Sequence, residues 1–454
     1  MALKHQNDSA AYELGTDENR EFLKAAGEDL LAFGHNFPAP QGGSMWLNGD
    51  GTTDPSQGIQ TWITCRMAHV YAMGAMLGHP GSEELVDAAL KGLTGPLHDD
   101  ANGGWYPQIA MDGTPDPGKI CYTHAFVMLA ASSATLIGRT GARELLDEAV
   151  DTFLKRFWRE DEGLAVDTWN TEFTELDPYR GVNANMHTTE AFLALADVLK
   201  DETFRERAGR VVRHVVEWAE HNAWRIPEHF TSDWTPALEY NADNKADQFK
   251  PYGATPGHGI EWARLITQYA LSSKAVDDAE KSRLVDAAEH LFDRAVKDGW
   301  ATCEGGRPGI AYTTDWNGVP VVTDRMHWTL AEGVNTAATL ARVTGRDTYR
   351  EWYARFWKYI DDSLIDHELG SWFHQLDLNN EVIGTVWPGK SDLYHAFQAT
   401  WIPRLDPAVS VAPAIKARVD GIAQAPGANA TARQLHFDIG RFPANVAWAI
   451  MSCM

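Results

Sequence analysis

Two kinds of helix-forming segment alternate along this chain, and that alternation limits the available folds more than any other feature. One kind is apolar on all sides and rich in small residues, at about 60–77, 121–138, 185–200, 257–271, 328–345 and 392–403. The other kind carries a charged face, at about 18–34, 82–95, 143–158, 203–222, 280–299 and 347–363. A helix apolar all round has to be buried, and a one-sided helix has to cover something. The apolar segments begin roughly every 60–70 residues, the period of an internal architectural repeat. Six of each close most simply into an all-α (α/α)6 barrel with an inner and an outer ring.

The links that lead into the inner helices are long and carry hairpin signals. Asp112-Gly113, Asn317-Gly318 and Asn379-Asn380 each sit between extended, aromatic-rich runs. These links are expected to crowd onto the end of the barrel where the inner helices begin. A site there would be lined by inner-helix N-termini and by Trp105, Trp316 and Trp372. Residues 1–17 are polar and read as a flexible N-terminus, and 18–403 as one catalytic barrel domain. From Pro403 onward the prolines and alanines show no amphipathic period, so 404–454 reads as a C-terminal appendage.

Composition narrows the function classes. The 454 residues are 44% hydrophobic, with 18 Trp, 13 Tyr and 17 Phe, enough for a large core. The net charge of −24 makes nucleic acid and anionic membrane poor partners. Cys65, Cys121, Cys303 and Cys453 are far apart and show no CxxC spacing, which predicts reduced thiols and a cytoplasmic setting. The N-terminal residues lack the apolar core of a signal peptide, and no apolar run is long enough to span a bilayer.

Chemistry-bearing residues recur at one place in the repeat, the start of each apolar helix. In chain order these starts offer Trp62 and Arg66; Tyr122 and His124; Asn183, Asn185, His187 and Glu190; His258 and Glu261; His327, Trp328 and Glu332; Asp392, His395 and Gln398. Thr255-Pro256 reads as a helix start, with a capping hydroxyl followed by a residue of preset φ. The helix it opens puts His258, Glu261, Trp262 and Leu265 on one face. The positive end of a helix dipole favours neutral imidazole, the form that a general base requires. Any one of these histidines, taken alone, is as readily a local cap. Their recurrence at one level of the repeat makes a shared cavity the better reading. His and Glu are also metal ligands, but HExxH is absent and the pairs lie on different helices, so no metal is expected. There is no GxGxxG after a strand and no GxxxxGK[ST], so nucleotide binding has no support. Aromatic faces cover sugar C–H patches while amides and charges grip hydroxyls, so this lining suits a monosaccharide.

Four of these stretches carry a family resemblance. Thr-Pro-Gly-His-Gly-Ile-Glu-Trp (255–262), Asn-Ala-Asn-Met-His (183–187), Trp-Ile-Thr-Cys-Arg-Met-Ala-His-Val-Tyr (62–71) and Asp-Leu-Tyr-His-Ala-Phe-Gln (392–398) resemble the N-acylglucosamine 2-epimerase superfamily, most closely its aldose–ketose isomerase branch. The resemblance spans about residues 18–405. It implies an (α/α)6 barrel, no cofactor, and two histidines that exchange protons through a cis-enediol. Motif by motif, that pair is His258 and His395, with His187 a third site histidine. Arg66, Tyr122, Asn183, Glu261, Trp328 and Glu332 would line the sugar pocket. The implied reaction interconverts D-mannose and D-fructose, with D-lyxose and D-xylulose as a second pair.

Sulfosugar isomerases of the branch carry an arginine where Gln248 stands here and a glutamine where His374 stands. A sulfonate calls for a charge-assisted donor such as Arg, so the neutral hexose is favoured over sulfoquinovose, and 2-epimerisation of an acylated sugar is disfavoured. Two further classes remain open at this level. One is an (α/α)6 glycoside hydrolase drawing its carboxylates from Glu261, Asp315, Asp324 and Glu332. The other is a non-enzymatic binding toroid. The one-domain reading predicts that limited proteolysis releases no separately folded fragment by cutting between about 160 and 200; two such fragments would overturn it.

Overall fold

Short extended runs stop where the inner helices start, and backbone hydrogen bonds tie these starts together. A computed structural model describes residues 9–423. The inner helices are α2 (Thr61–Met76), α4 (Cys121–Leu136), α6 (Val182–Leu199), α8 (Pro256–Ser272), α10 (His327–Thr344) and α12 (Tyr394–Trp401). The outer helices are α1 (Asp17–Phe33), α3 (Ser82–Leu93), α5 (Ala142–Arg156), α7 (Glu202–His221), α9 (Asp278–Gly299) and α11 (Asp347–Tyr359). Four inner helices donate their first N–H to a carbonyl in a later link: Thr61 to Pro107, Cys121 to Asp167, Val182 to Glu228 and His327 to His374. Those bonds satisfy N–H groups that a helix start otherwise leaves orphaned. They also hold the first turns level at one end of the barrel.

The two helix classes behave as their patterns require. In α2, 15 of 16 residues are buried, whereas α7 buries 9 of 20 along a stripe that includes Val211, Val212, Val215 and Val216. The inner helices touch in chain order from α2 to α12, and α12 returns to α2, closing the ring. Helix α1 packs on α12, so the first and last elements of the barrel meet. Gly27 permits that approach, since a Cβ there would lie 3.0 Å from Thr400 Oγ1. The expected turns are present: Ala110 N bonds Thr114 O, Asp315 N bonds Val319 O, and Asp377 N bonds Glu381 O. Gly113, Gly318 and Asn380 take the positive φ of these turns.

Two sequence expectations about the chain ends change. Within the N-terminal stretch read as flexible, Ser9–Tyr12 forms a 3-10 turn, and the Tyr12 hydroxyl donates to Asp361 Oδ2 at 2.6 Å. Beyond α12, the stretch read as an appendage begins as the barrel floor. Helix α13 (Val411–Ala423) packs on α2, α4 and α6. Arg342 donates to the carbonyls of Pro403 and Leu405, Gln268 donates to Ser410 Oγ, and Ser410 N donates to Asp197 Oδ2. This strap covers an axial cavity whose lining includes His69, Glu190, Arg264 and Gln398. The rest of the expected appendage, 424–454, lies outside the described residues, as do residues 1–8. Among the described residues no helix is long and apolar enough to cross a membrane.

Candidate active site

At the N-terminal end of the inner ring lies a pocket. Arg66 from α2, Tyr122 from α4, Asn183 and His187 from α6, His258 and Glu261 from α8, Trp328 from α10 and His395 from α12 all line it. Every inner helix therefore contributes a side chain expected from sequence. Thr255 does stand at the N-cap of α8 with Pro256 in the first turn, but its hydroxyl makes no capping bond. The Thr255 carbonyl instead accepts from His258 N at 3.0 Å and Gly259 N at 3.2 Å. Gly257 is required sterically, because a Cβ there would meet the Trp328 ring at 2.6 Å.

His258 and His395 share one arrangement. His258 Nδ1 lies 2.9 Å from Glu228 Oε2, and His395 Nδ1 lies 3.0 Å from Glu332 Oε1. A carboxylate oxygen accepts, which assigns the proton of each neutral imidazole to Nδ1 and leaves Nε2 with a free lone pair. The rings flank Trp328, at centroid distances of 5.1 and 5.9 Å. His187 Nδ1 is likewise 3.2 Å from Glu190 Oε2, and burial pulls its pKa down to about 4.

Arg66 bridges the first and last repeats. Its guanidinium is ion-paired to Asp392 and donates to the Tyr122 hydroxyl at 2.8 Å. Burial opposes its charge, yet Asp392 and the neighbouring phenols hold its pKa above the ordinary arginine value. Burial would also raise Asp392, but Arg66 and three imidazoles hold that carboxyl well below the usual range. Glu332 is not on the pocket wall; it lies behind His395 and accepts from Arg264 Nε at 2.8 Å. Burial disfavours its charge, and Arg264 and His395 more than offset this, so its pKa falls. Glu261, buried beside Glu332, is driven the other way, first by burial and then by that neighbouring carboxylate.

Several expected residues do other work. Trp105 is buried and donates to Leu93 O, Trp316 donates to Leu238 O, and Trp372 packs against Trp357, so none of the three lines the pocket. Trp328, Trp387, Phe249 and Tyr312 form its aromatic walls instead. His124 lies between Ile120 O and Trp105 N, and Asn185 bonds the backbone of Ala165 and Gly181. Gln248 reaches the pocket, while His374 lies behind it, stacked on His327 at 4.3 Å and accepting from Asp392 N. Asp315 accepts from Asn317 N and Val319 N in its turn, and Asp324 accepts from Gln375, so neither joins Glu261 and Glu332 as a hydrolase pair. Glu228 was missed by sequence reasoning: it sits in a link whose spacing carries no helical period.

Among the described residues, two groups of donors approach closely enough to share an ion, His187–Glu190–Glu261 and Glu261–Glu332–His395, with the donor atoms of each group within 4.8 Å of one another. Arg264 already places a positive charge among these carboxylates, with Nη2 3.6 Å from Glu261 Oε1.

Compared with known proteins, residues 42–399 match the N-acylglucosamine 2-epimerase (GlcNAc 2-epimerase) family. The chain is 43% identical over 400 residues to a D-mannose isomerase of Thermobifida fusca, an alignment covering 87% of this chain and 97% of that one. It is 40% identical to a D-mannose isomerase of Pseudomonas cannabina pv. alisalensis, covering 91% and 99%. A crystal structure of a D-mannose isomerase aligns with a TM-score of 0.77 at 27% identity, covering 84% of this chain and 97% of that one.

Because burial holds His187 down to about 4, its imidazole stays neutral through the physiological range. Nitrogen NMR of the His187 ring should show no titration between about pH 5.5 and 8. A midpoint inside that window would contradict the burial argument.

Proposed function

The chain belongs to the N-acylglucosamine 2-epimerase family and is an isomerase, and we propose that it interconverts D-mannose and D-fructose by histidine-mediated proton transfer through a cis-enediol. The observation that carries this reading is the matched pair of histidines. Both stand in first turns of inner helices, both give Nδ1 to a carboxylate, and both belong to the lining of one pocket. With Nδ1–H held by Glu332, His395 turns a basic Nε2 toward substrate, and it removes the C2 proton of open-chain mannose. The electron pair forms the enediol C1=C2 bond, and the same nitrogen returns a proton to C1 on the same face. His258, oriented by Glu228, serves the ring oxygen during opening and the proton shift between O1 and O2. Arg66 faces the developing enediolate charge, in a site where a fixed donor acts through a low dielectric. Tyr122, Asn183 and His187 grip hydroxyls, and Trp328 and Trp387 cover apolar sugar faces.

D-Mannose is favoured because the relatives named above act on it and because Gln248 brings no fixed positive charge for a sulfonate. D-Lyxose shares the C2 and C3 configuration of D-mannose, and D-xylulose the C3 configuration of D-fructose, so they form the second proposed pair. The site residues call for no cofactor in this scheme.

Incubation with mannose, fructose, glucose, lyxose and sulfoquinovose in D2O, followed by proton NMR, tests the substrate. Mannose–fructose conversion with deuterium at C2 of mannose formed from fructose is expected. A larger kcat/KM for sulfoquinovose would sink the neutral-hexose assignment. A positioned acid/base contributes about 10²–10⁴-fold in rate, so His395→Ala and His258→Ala should each lose at least that much in kcat with unchanged circular dichroism. Near-normal turnover by His395→Ala would remove it as the carbon base.

A further inference from the structure

Three side chains from three inner helices meet at and just behind the pocket wall: Glu261 of α8, Glu332 of α10 and His395 of α12, with one donor atom of each within 4.8 Å of the others. All three are buried, with exposures of 1%, 0% and 3%. Two carboxylates so close in a buried site cannot both carry charge cheaply, and one of them takes the proton. Distance alone does not choose which, because the two groups are chemically alike. The asymmetry comes from Arg264, one turn beyond Glu261 on α8.

Arg264 aims its Nε–H at Glu332 Oε2, 2.8 Å away, while its Nη2 stays 3.6 Å from Glu261 Oε1, beyond hydrogen-bond reach. Glu332 also receives His395 Nδ1–H at 3.0 Å and faces the amide of Asn335 at 3.5 Å. Neither oxygen of Glu261 has a hydrogen-bond partner among the described residues. A buried anion without donors is costly, whereas a neutral carboxyl that can turn its O–H toward a ligand is far less so. Glu261 belongs to the pocket lining and Glu332 does not.

We propose that Arg264 is a positioning residue that decides which of these two carboxyl groups is ionised. It holds Glu332 as the anion that orients His395, and it leaves Glu261 as a neutral acid that donates a hydrogen bond to a sugar oxygen. The proposal rests on His395 being the carbon base. It makes Arg264 part of the reaction without contact to substrate: the guanidinium fixes the charge of Glu332, and Glu332 fixes the tautomer of His395. The opposite shifts of the two carboxyls agree, with Glu261 raised by burial and by Glu332, and Glu332 lowered by Arg264 and His395 against its own burial. The other charged and titratable groups facing Arg264 are Glu190 from α6 and Tyr394 from α12, and Arg66 of α2 acts on Glu261 from across the pocket. Glu190 is held by His187, so it does not compete for the Nε–H that Glu332 receives.

The test compares kcat–pH profiles for mannose in the wild type, Arg264→Gln, Arg264→Lys and Glu261→Gln, with His395→Ala assayed alongside. Removing the positive charge lets the buried carboxylate–imidazole pair bind a proton more readily, so the acid limb moves to higher pH. Arg264→Gln should shift that limb up by about one unit or more and lower kcat by about tenfold or more, with little change in KM. Arg264→Lys keeps the charge and should return the limb to within about half a unit of the wild type. Glu261→Gln replaces one neutral donor with another, so the limb should stay in place. If Glu261 were the anion, its removal would instead drag the limb to lower pH.

An unmoved limb in Arg264→Gln, or a downward shift in Glu261→Gln, overturns the proposal. If Arg264→Gln does not fold, Glu261→Gln and Arg264→Lys decide by the same limb. Full activity in His395→Ala would instead overturn the assignment of the base, an outcome separable from any limb shift.

Discussion

A charged or hydrogen-bonding group placed on the axis of an apolar helical ring is destabilising by several kcal/mol unless something inside the ring satisfies it. That constraint organises the centre of this protein. Arg66 answers Asp392, Arg264 answers Glu332, His187 answers Glu190, and His258 answers Glu228. Three of these four pairs join different inner helices or an inner helix to a link, so each one also fixes the ring's geometry. The network is stable as a set, because removing one partner would leave another buried charge alone. Little freedom remains for the imidazoles, a rigidity that the proposed proton transfer requires, since its acid and base have to be in place before a substrate arrives.

The same constraint separates two ends of one barrel. At the helix N-termini the links supply backbone carbonyls to the first N–H groups, and the pocket opens among them. At the other end the strap from Ile402 to Ser410 and helix α13 cover the chamber below Glu190 and Arg264. Arg342, Gln268 and Asp197 hold that strap from three inner helices. The floor therefore backs the layer of carboxylates that orients the histidines. The pocket's aromatic walls come from elsewhere, with Phe249 and Trp387 delivered by two long links that meet over Trp62.

The barrel was legible because its signal is periodic. Helices apolar on every side must lie inside, and their alternation with amphipathic ones leaves few ways to close. The candidate site was legible at Arg66, Tyr122, Asn183, His187, His258, Glu261, Trp328 and His395 because all fall at one level of that repeat, and the structure brings them to one pocket. The aromatic walls were misread, since Trp105, Trp316 and Trp372 sit in links, where sequence position does not set direction. Their indoles turn to Leu93, Leu238 and the Trp357 ring.

By itself, then, the sequence determined the all-helical alternation, the end of the barrel that bears the candidate site, and which residues the first inner turns carry. Those properties follow from local periodicity and from the direction of a helix. Only the tertiary structure decided which partner each buried charge takes. Glu332 moved from the expected wall to a place behind His395, Glu228 came from an aperiodic link to hold His258, and residues 404–423 became a floor rather than an appendage. Each of these depends on contacts between segments tens to hundreds of residues apart. Such contacts are selected by the need to satisfy buried polar groups in three dimensions, and no spacing along the chain records that choice.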